Sequence, residues 1–238
     1  MKGDSMMTRV LGAFFCFLFL LSSPPFGTAA ENRSTLEIPA GSAGIIAYGS
    51  LMSLPSMEQT LGRKYAGPVH HVHLEGYERA WTSLRPFDDP LAPAPGGEKI
   101  EAFFSRDNER VPLVGAVQLN VRPKRGGRIN AILYLISVEE LARFDKREYG
   151  YRRVDVTGRI EEFRFRGGRV YAYQGLAEYT EGRPVVRGKY VLIKEFLDSV
   201  TSACDVLGRA FRDEYENSTK PCAYEVVSYK NIIWEKVK

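Results

Sequence analysis

Ala43-Gly44-Ile45-Ile46-Ala47-Tyr48, ended by Gly49-Ser50-Leu51, is the stretch from which the rest of the chain is read. A short uncharged run closed by glycine and serine describes a buried strand that feeds a tight loop. Downstream, strand patterns dominate. Pro68–Leu74 alternates loosely, with Val69, His71 and His73 on one face and His70, Val72 and Leu74 on the other. Gly76–Leu84 continues it after a bend. Further strand patterns lie at Val114–Val121, Ala131–Ile136, Tyr151–Val156, Glu162–Phe165 and Val170–Tyr173. Gly126-Gly127 and Gly167-Gly168 are expected to supply turns between neighbours. Asp88–Glu98 (DDPLAPAPGGE) is rich in Pro and Gly, has no period, and is expected to be a surface loop.

Two helices stand out. Ser137 followed by Glu140 has the spacing of a capping box, and the helix behind it runs through Leu141 and Phe144 towards Arg147. A longer one is expected from about Lys189 to Tyr215. There Leu192, Phe196, Val200, Ala203, Leu207 and Phe211 recur at steps of three and four, a stripe suited to core packing. Many strands, few helices and no βαβ alternation predict an α+β domain.

Upstream of the first strand the pattern changes. Lys2 and Arg9 precede the apolar run Val10–Leu21, and small residues lead to Thr28-Ala29-Ala30. This is the layout of a secretory signal peptide cleaved near Ala30; a spanning helix needs about 20 apolar residues. An uncleaved signal-anchor is the alternative, and the only membrane contact expected. The division predicted is a signal peptide over 1–30, an N-terminal extension over 31–42 and one domain over 43–238, exported to a periplasmic or extracellular space. That length can bury a core without metal or disulfide help. The net charge of +4 is spread along the chain, so no nucleic-acid partner is expected. Beyond the signal, Cys204 and Cys222 could pair in an oxidising compartment or remain separate thiols.

Two segments could carry chemistry. In Tyr48-Gly49-Ser50-Leu51 a glycine after a buried strand lets the backbone turn sharply. Successive N–H groups there could cradle a carboxylate, or the segment could be an ordinary turn. In Phe144–Val156 (FDKREYGYRRVDV) charges are interleaved with rings at a helix-to-strand junction. A carboxylate partly buried among such rings has a raised pKa. The plainer reading is a solvated helix end with ion pairs, in which Asp145 and Arg152 are natural participants.

YGSL, then Gly76-Tyr77-Glu78-Arg79-Ala80-Trp81, then Asn130-Ala131-Ile132-Leu133-Tyr134-Leu135-Ile136-Ser137, then FDKREYGYRRVDV form an ordered set. It resembles the γ-glutamylcyclotransferase superfamily, with its ChaC-type and AIG2-like members, from about Ile45 to Thr219. The resemblance implies a small mixed β-barrel flanked by helices. It implies a cofactor-free enzyme that cyclises a γ-glutamyl amide to 5-oxoproline and releases an amine, an amino acid or the remainder of glutathione. It makes Glu148 the general base and acid, and Tyr48, Gly49, Ser50 and Leu51 the substrate-binding loop. Tyr173 matches a substrate-facing Tyr. Two positions depart from the common pattern: Ala131, where many relatives carry Gly, and Tyr149, which could narrow the pocket. Loop 88–98 and stretch 103–110 are expected to line the entrance.

Other signals carry less. His70, His71 and His73 suggest a metal cluster, but alternation separates His70, and the other two are read as a pair on one strand face without a nearby carboxylate or Cys; no metal site is expected. Asn32-Arg33-Ser34 and Asn217-Ser218-Thr219 fit glycosylation acceptors. Two competing functions remain open: a non-catalytic pocket that binds a γ-glutamyl or other carboxylate ligand, and a hydrolase with Ser50 as nucleophile. The latter lacks the strand–Gly-x-Ser-x-Gly–helix context.

Overall fold

The computed structural model describes residues 33–89, 100–180 and 189–237. The expected signal peptide, Asn32 and most of the 88–98 loop lie outside them. In chain order the first elements are β1 (Ser34–Ile38), β2 (Ser42–Ala47), α1 (Leu54–Leu61), β3 (Val69–Pro86), β4 (Ile100–Arg106), β5 (Glu109–Ser137) and α2 (Leu141–Arg147). There follow β6 (Tyr151–Asp155), β7 (Phe163–Gly167), β8 (Val170–Gly175), β9 (Lys189–Ile193), α3 (Lys194–Leu207), α4 (Arg209–Ser218), β10 (Val226–Val227) and β11 (Ile232–Lys236).

The fold is α+β, as expected. A nine-stranded mixed sheet is ordered β10-β9-β5-β2-β8-β6, with β3, β4 and β11 branching from β5 and β4. Among the described residues this path is open; its ends do not pair to close a barrel. β1, within the segment read as an N-terminal extension, pairs in parallel with β7 as a separate two-stranded sheet.

The organising strand is β5, which pairs antiparallel with β2, β3 and β4 and parallel with β9. The two strands read at 114–121 and 131–136 are both parts of it. Gly126-Gly127 therefore does not connect separate strands. Residues 124–127 stand opposite Gly76 alone, between the pairs Glu75–Arg128 and Tyr77–Pro123. This is the predicted bend of β3, a bulge inside one continuous ladder. The face carrying Val72, Leu74, Val121, Ile129 and Ala131 is buried in the main core.

The predicted 189–215 helix is corrected. Lys189–Ile193 is strand β9, because Lys189, Tyr190 and Val191 register in parallel against β5. The remaining helix breaks at Gly208, whose φ of +104° is backbone that residues with a Cβ rarely adopt. The capping box before α2 is present: Glu140 N–H donates to Ser137 Oγ (3.3 Å) and Ser137 N–H to Glu140 Oε2 (2.9 Å). A cap of this kind is worth about 1 kcal/mol.

Arg79 on β3 is fully buried and ties distant elements together. Its guanidinium donates to Asn130 O (2.7 Å) and Asn130 Oδ1 (2.8 Å) on β5, and to Tyr215 O (3.2 Å) and Ser218 Oγ (2.9 Å) on α4. Its Nε donates to Thr219 Oγ1 (2.7 Å), and its Cζ lies 3.8 Å from the centre of the Tyr215 ring. No carboxylate is in this set, so burial lowers the Arg79 pKa to about 10. Two of the sequence segments that carry the resemblance thus meet the end of α4 at one side chain.

Candidate active site

The site begins where β2 ends. After Ala47 the backbone passes through Tyr48 and Gly49 into a single helical turn, Ser50–Met52, which Met52 N–H closes on Gly49 O (2.9 Å) and whose N-terminus has no side-chain cap. Leu51 and Met52 are buried and anchor it. The Tyr48 hydroxyl donates to the backbone carbonyl of Tyr173 on β8, fixing the loop against the sheet.

The opposite wall comes from the end of α2. Arg147, its last residue, donates to Ser56 O (3.0 Å), Ser56 Oγ (2.9 Å) and Thr60 Oγ1 on α1, and to Ser50 Oγ (3.1 Å). One cation thereby holds the loop, α1 and α2 in register. Glu148 follows directly, its N–H donating to Phe144 O (2.8 Å) and its carbonyl accepting from Tyr151 N–H (2.7 Å). Its side chain is 17% exposed and lies 3.2 Å from Arg147 Nε. Burial raises the Glu148 pKa, while Arg147 and then Arg85 pull it back. The net shift is upward, so a charge that water would favour is held in a dry wall next to two cations.

These residues surround a cavity of about 330 Å³, lined by Tyr48, Gly49, Ser50, Leu51, Glu148 and Tyr173 together with Arg85, Arg147, Tyr149 and Tyr151. Every candidate named from the sequence meets in this space. Tyr173 faces it with its ring, but its hydroxyl donates to Asp145 Oδ1 (2.7 Å). Asp145 pairs with Arg153 (2.9 Å) rather than with Arg152. Tyr149, flagged as a residue that narrows the pocket, does line it. Stretch 103–110, expected at the entrance, does not; it forms the β4–β5 hairpin, against which β11 packs.

Sequence reasoning missed Arg85 and Arg147 as members of the site. Arg147 had a signal, its adjacency to Glu148. Arg85 had none, because its neighbours in space come from residues 149–150 and 179. Ser50 Oγ accepts from a guanidinium, and no His lines the cavity, so the Ser–His pairing of a serine hydrolase is not formed here.

Away from the cavity, the expectation that no carboxylate stands near the histidines is corrected. His73 Nδ1 bonds Glu162 Oε1, and His73 Nε2 lies 2.8 Å from Glu214 Oε1, at ion-pair distance but outside hydrogen-bonding angle. Ligand atoms of His73, Glu161 and Glu162 fall within 4.8 Å of one another. Arg128 pairs with Glu161 (2.6 Å) and Glu214 (2.7 Å), which makes this an ion-pair network already supplied with cations. Cys204 and Cys222 are not joined in a disulfide, and burial pushes Cys204 up to about 11.

No protein-family model matches the chain, and no curated protein matches it. Among solved structures it is similar to YkqA from Bacillus subtilis, at 17% identity and a TM-score of 0.46, over 74% of this chain and 53% of that one. The chain thus spans about half the length of YkqA. It is also similar to a gamma-glutamyl cyclotransferase, at 8% identity and a TM-score of 0.44, over 79% of this chain and 94% of that one. A gamma-glutamyl cyclotransferase specific to glutathione from yeast is similar at 12% identity and a TM-score of 0.43, over 77% of this chain and all of that one. In outline, and at low sequence identity, the chain is similar to structures of γ-glutamyl cyclotransferases.

Proposed function

We propose that the cavity cyclises a γ-glutamyl amide to 5-oxoproline and a free amine. The observation that carries the reading is Glu148: a largely buried carboxylate of raised pKa on the wall of the cavity that the Tyr48–Leu51 loop also lines. The motif order described above supports it. The loop N–H groups hold the α-carboxylate of the glutamyl unit, and Arg147 holds the loop through Ser50. Glu148 takes a proton from the α-ammonium. The freed nitrogen attacks the γ-carbonyl carbon, closing a five-membered ring. The amide C–N bond then breaks as Glu148 returns the proton to the departing nitrogen, and the ring nitrogen gives up its second proton to the released amine, which leaves as an ammonium. No water or cofactor enters the balance. Because nucleophile and electrophile belong to one molecule, holding it folded supplies up to about 7–11 kcal/mol in the best oriented cases. A carboxylate of raised pKa suits a group that must accept and donate in turn.

The test is 5-oxoproline release from glutathione, γ-glutamyl dipeptides and γ-glutamyl amines by the wild type and by Glu148→Gln. Glu148→Gln is expected to fold and to lose about 10²–10⁴ in turnover. Near-wild-type release by the variant would remove Glu148 from the reaction. A ligand-induced rise in melting temperature without 5-oxoproline would mark a binding pocket instead.

A further inference from the structure

The cyclisation leaves Arg85 unused, although it lines the same cavity. Arg85 is 7% exposed, and its Nε and Nη1 have no hydrogen-bond partner among the described residues. Buried guanidinium donors are normally filled. Asp89 Oδ2 forms a long ion pair with Nε (4.0 Å), beyond hydrogen-bonding reach, and Asp89 Oδ1 accepts from the Tyr179 hydroxyl (3.0 Å). Meanwhile the guanidinium is held in place. Its Cζ lies 3.8 Å from the centre of the Tyr149 ring and 4.6 Å from that of Tyr179. Gly150 makes the room: a Cβ there would fall 1.2 Å from Arg85 Nη1. A planar cation fixed by rings, with donors unfilled, is preorganised for a carboxylate.

Its place relative to Glu148 gives that carboxylate an address. Along residues 147–150 the chain passes from the cation bonded to Ser50, through Glu148 and Tyr149, to the glycine pressed against Arg85. Along the chain Glu148 therefore falls between the residue bonded to Ser50 and the one pressed against Arg85, and both cations act on its charge. A γ-glutamyl amino acid has the matching layout, one carboxylate on the glutamyl unit and one on the leaving group, with the scissile amide between them.

We propose that Arg85 receives a carboxylate carried by the leaving group, so that the substrates are γ-glutamyl amino acids or peptides in preference to γ-glutamyl amines. This rests on the cyclisation reading. A site built to bond a group discriminates against the analogue that lacks it, because buried donors are then left unpaired. The experiment compares γ-glutamyl-alanine with γ-glutamyl-ethylamine, which differ by that carboxylate. The wild type should favour the former in kcat/KM by roughly ten- to hundred-fold, the size of one charge-assisted hydrogen bond. Arg85→Gln should bring the ratio close to one through KM, and Arg85→Lys should keep part of it. Gly150→Ala, which retains the charge but displaces the guanidinium, should also lower the ratio and keeps the test decisive if Arg85→Gln does not fold. Equal use of both substrates by the wild type, or an unchanged ratio in a folded Arg85→Gln, overturns the assignment while leaving the cyclisation standing. Release from neither substrate overturns the assignment, and release from no member of the glutathione, dipeptide and amine panel overturns the cyclisation as well.

Discussion

Glu148 is next to one cation in sequence and another in space, and their pull is outweighed by burial. That balance sets how the site responds to pH. In the proposed reaction Glu148 must begin ionised, so the acid limb of kcat/KM for 5-oxoproline release should lie above the ordinary carboxylate value of 4.5. Arg147 is the larger of the two opposing charges. Arg147→Met removes a group that favours the ionised form and should carry the acid limb to higher pH. The check is the pH profile of both proteins. A limb that stays in place, or moves down, would show that Arg147 does not govern the protonation of Glu148. The same substitution removes the bonds to Ser50 and α1, so a rise in KM is expected beside the shift.

Between elements, the His73 network joins β3 to α4 and to the turn before β7. The groups facing the imidazole are Glu161, Glu162, Glu214 and Arg128. The hydrogen bond from Glu162 raises the His73 pKa above its ordinary 6.5, assisted by Glu214 and opposed by burial and by Arg128. In the unfolded chain His73 loses its proton near its ordinary value, whereas in the fold it keeps the proton to higher pH. Its contribution is therefore complete below about 6.5 and fades as pH rises through the folded value. Thermal melting should show a wild type that loses stability as pH rises above about 6.5, and a His73→Gln variant that loses less. Parallel curves for the two proteins would sever this network from stability. The helical region at 194–218 has a local origin by contrast. The stripe read from the sequence runs straight through Gly208, whose positive φ breaks the helix there.

For the whole molecule, Arg79 has the longest reach, binding residues 51 to 140 positions away. Arg79→Met would fill the volume but leave Asn130, Ser218 and Thr219 without their donor inside the core. A loss of about 3 kcal/mol in unfolding free energy follows, because each buried polar group left unpaired costs about 1–3 kcal/mol. Urea denaturation measures this directly. A midpoint equal to wild type would mean that the network is dispensable to the fold.

Strand β2, the loop after it, the bend of β3 and the cap of α2 were legible in the sequence, since each depends on residues within a few positions of one another. Hydrophobic period, a glycine at a turn and a Ser–Glu pair three apart act through local geometry. Strand β9 was not legible, because Lys-Tyr-Val-Leu-Ile suits a strand or a helical turn alike; the parallel ladder against β5 decides it. Nor was the continuity of β5 through Gly126-Gly127, which depends on what lies across the ladder. The candidate site divides in the same way. Its loop and its carboxylate could be named from short motifs, whereas the company they keep could not. Arg85, Tyr149 and Tyr179 meet across intervals that no spacing rule covers. Desolvation and Coulomb forces act through space, so the charges that share a cavity were settled only when the chain folded.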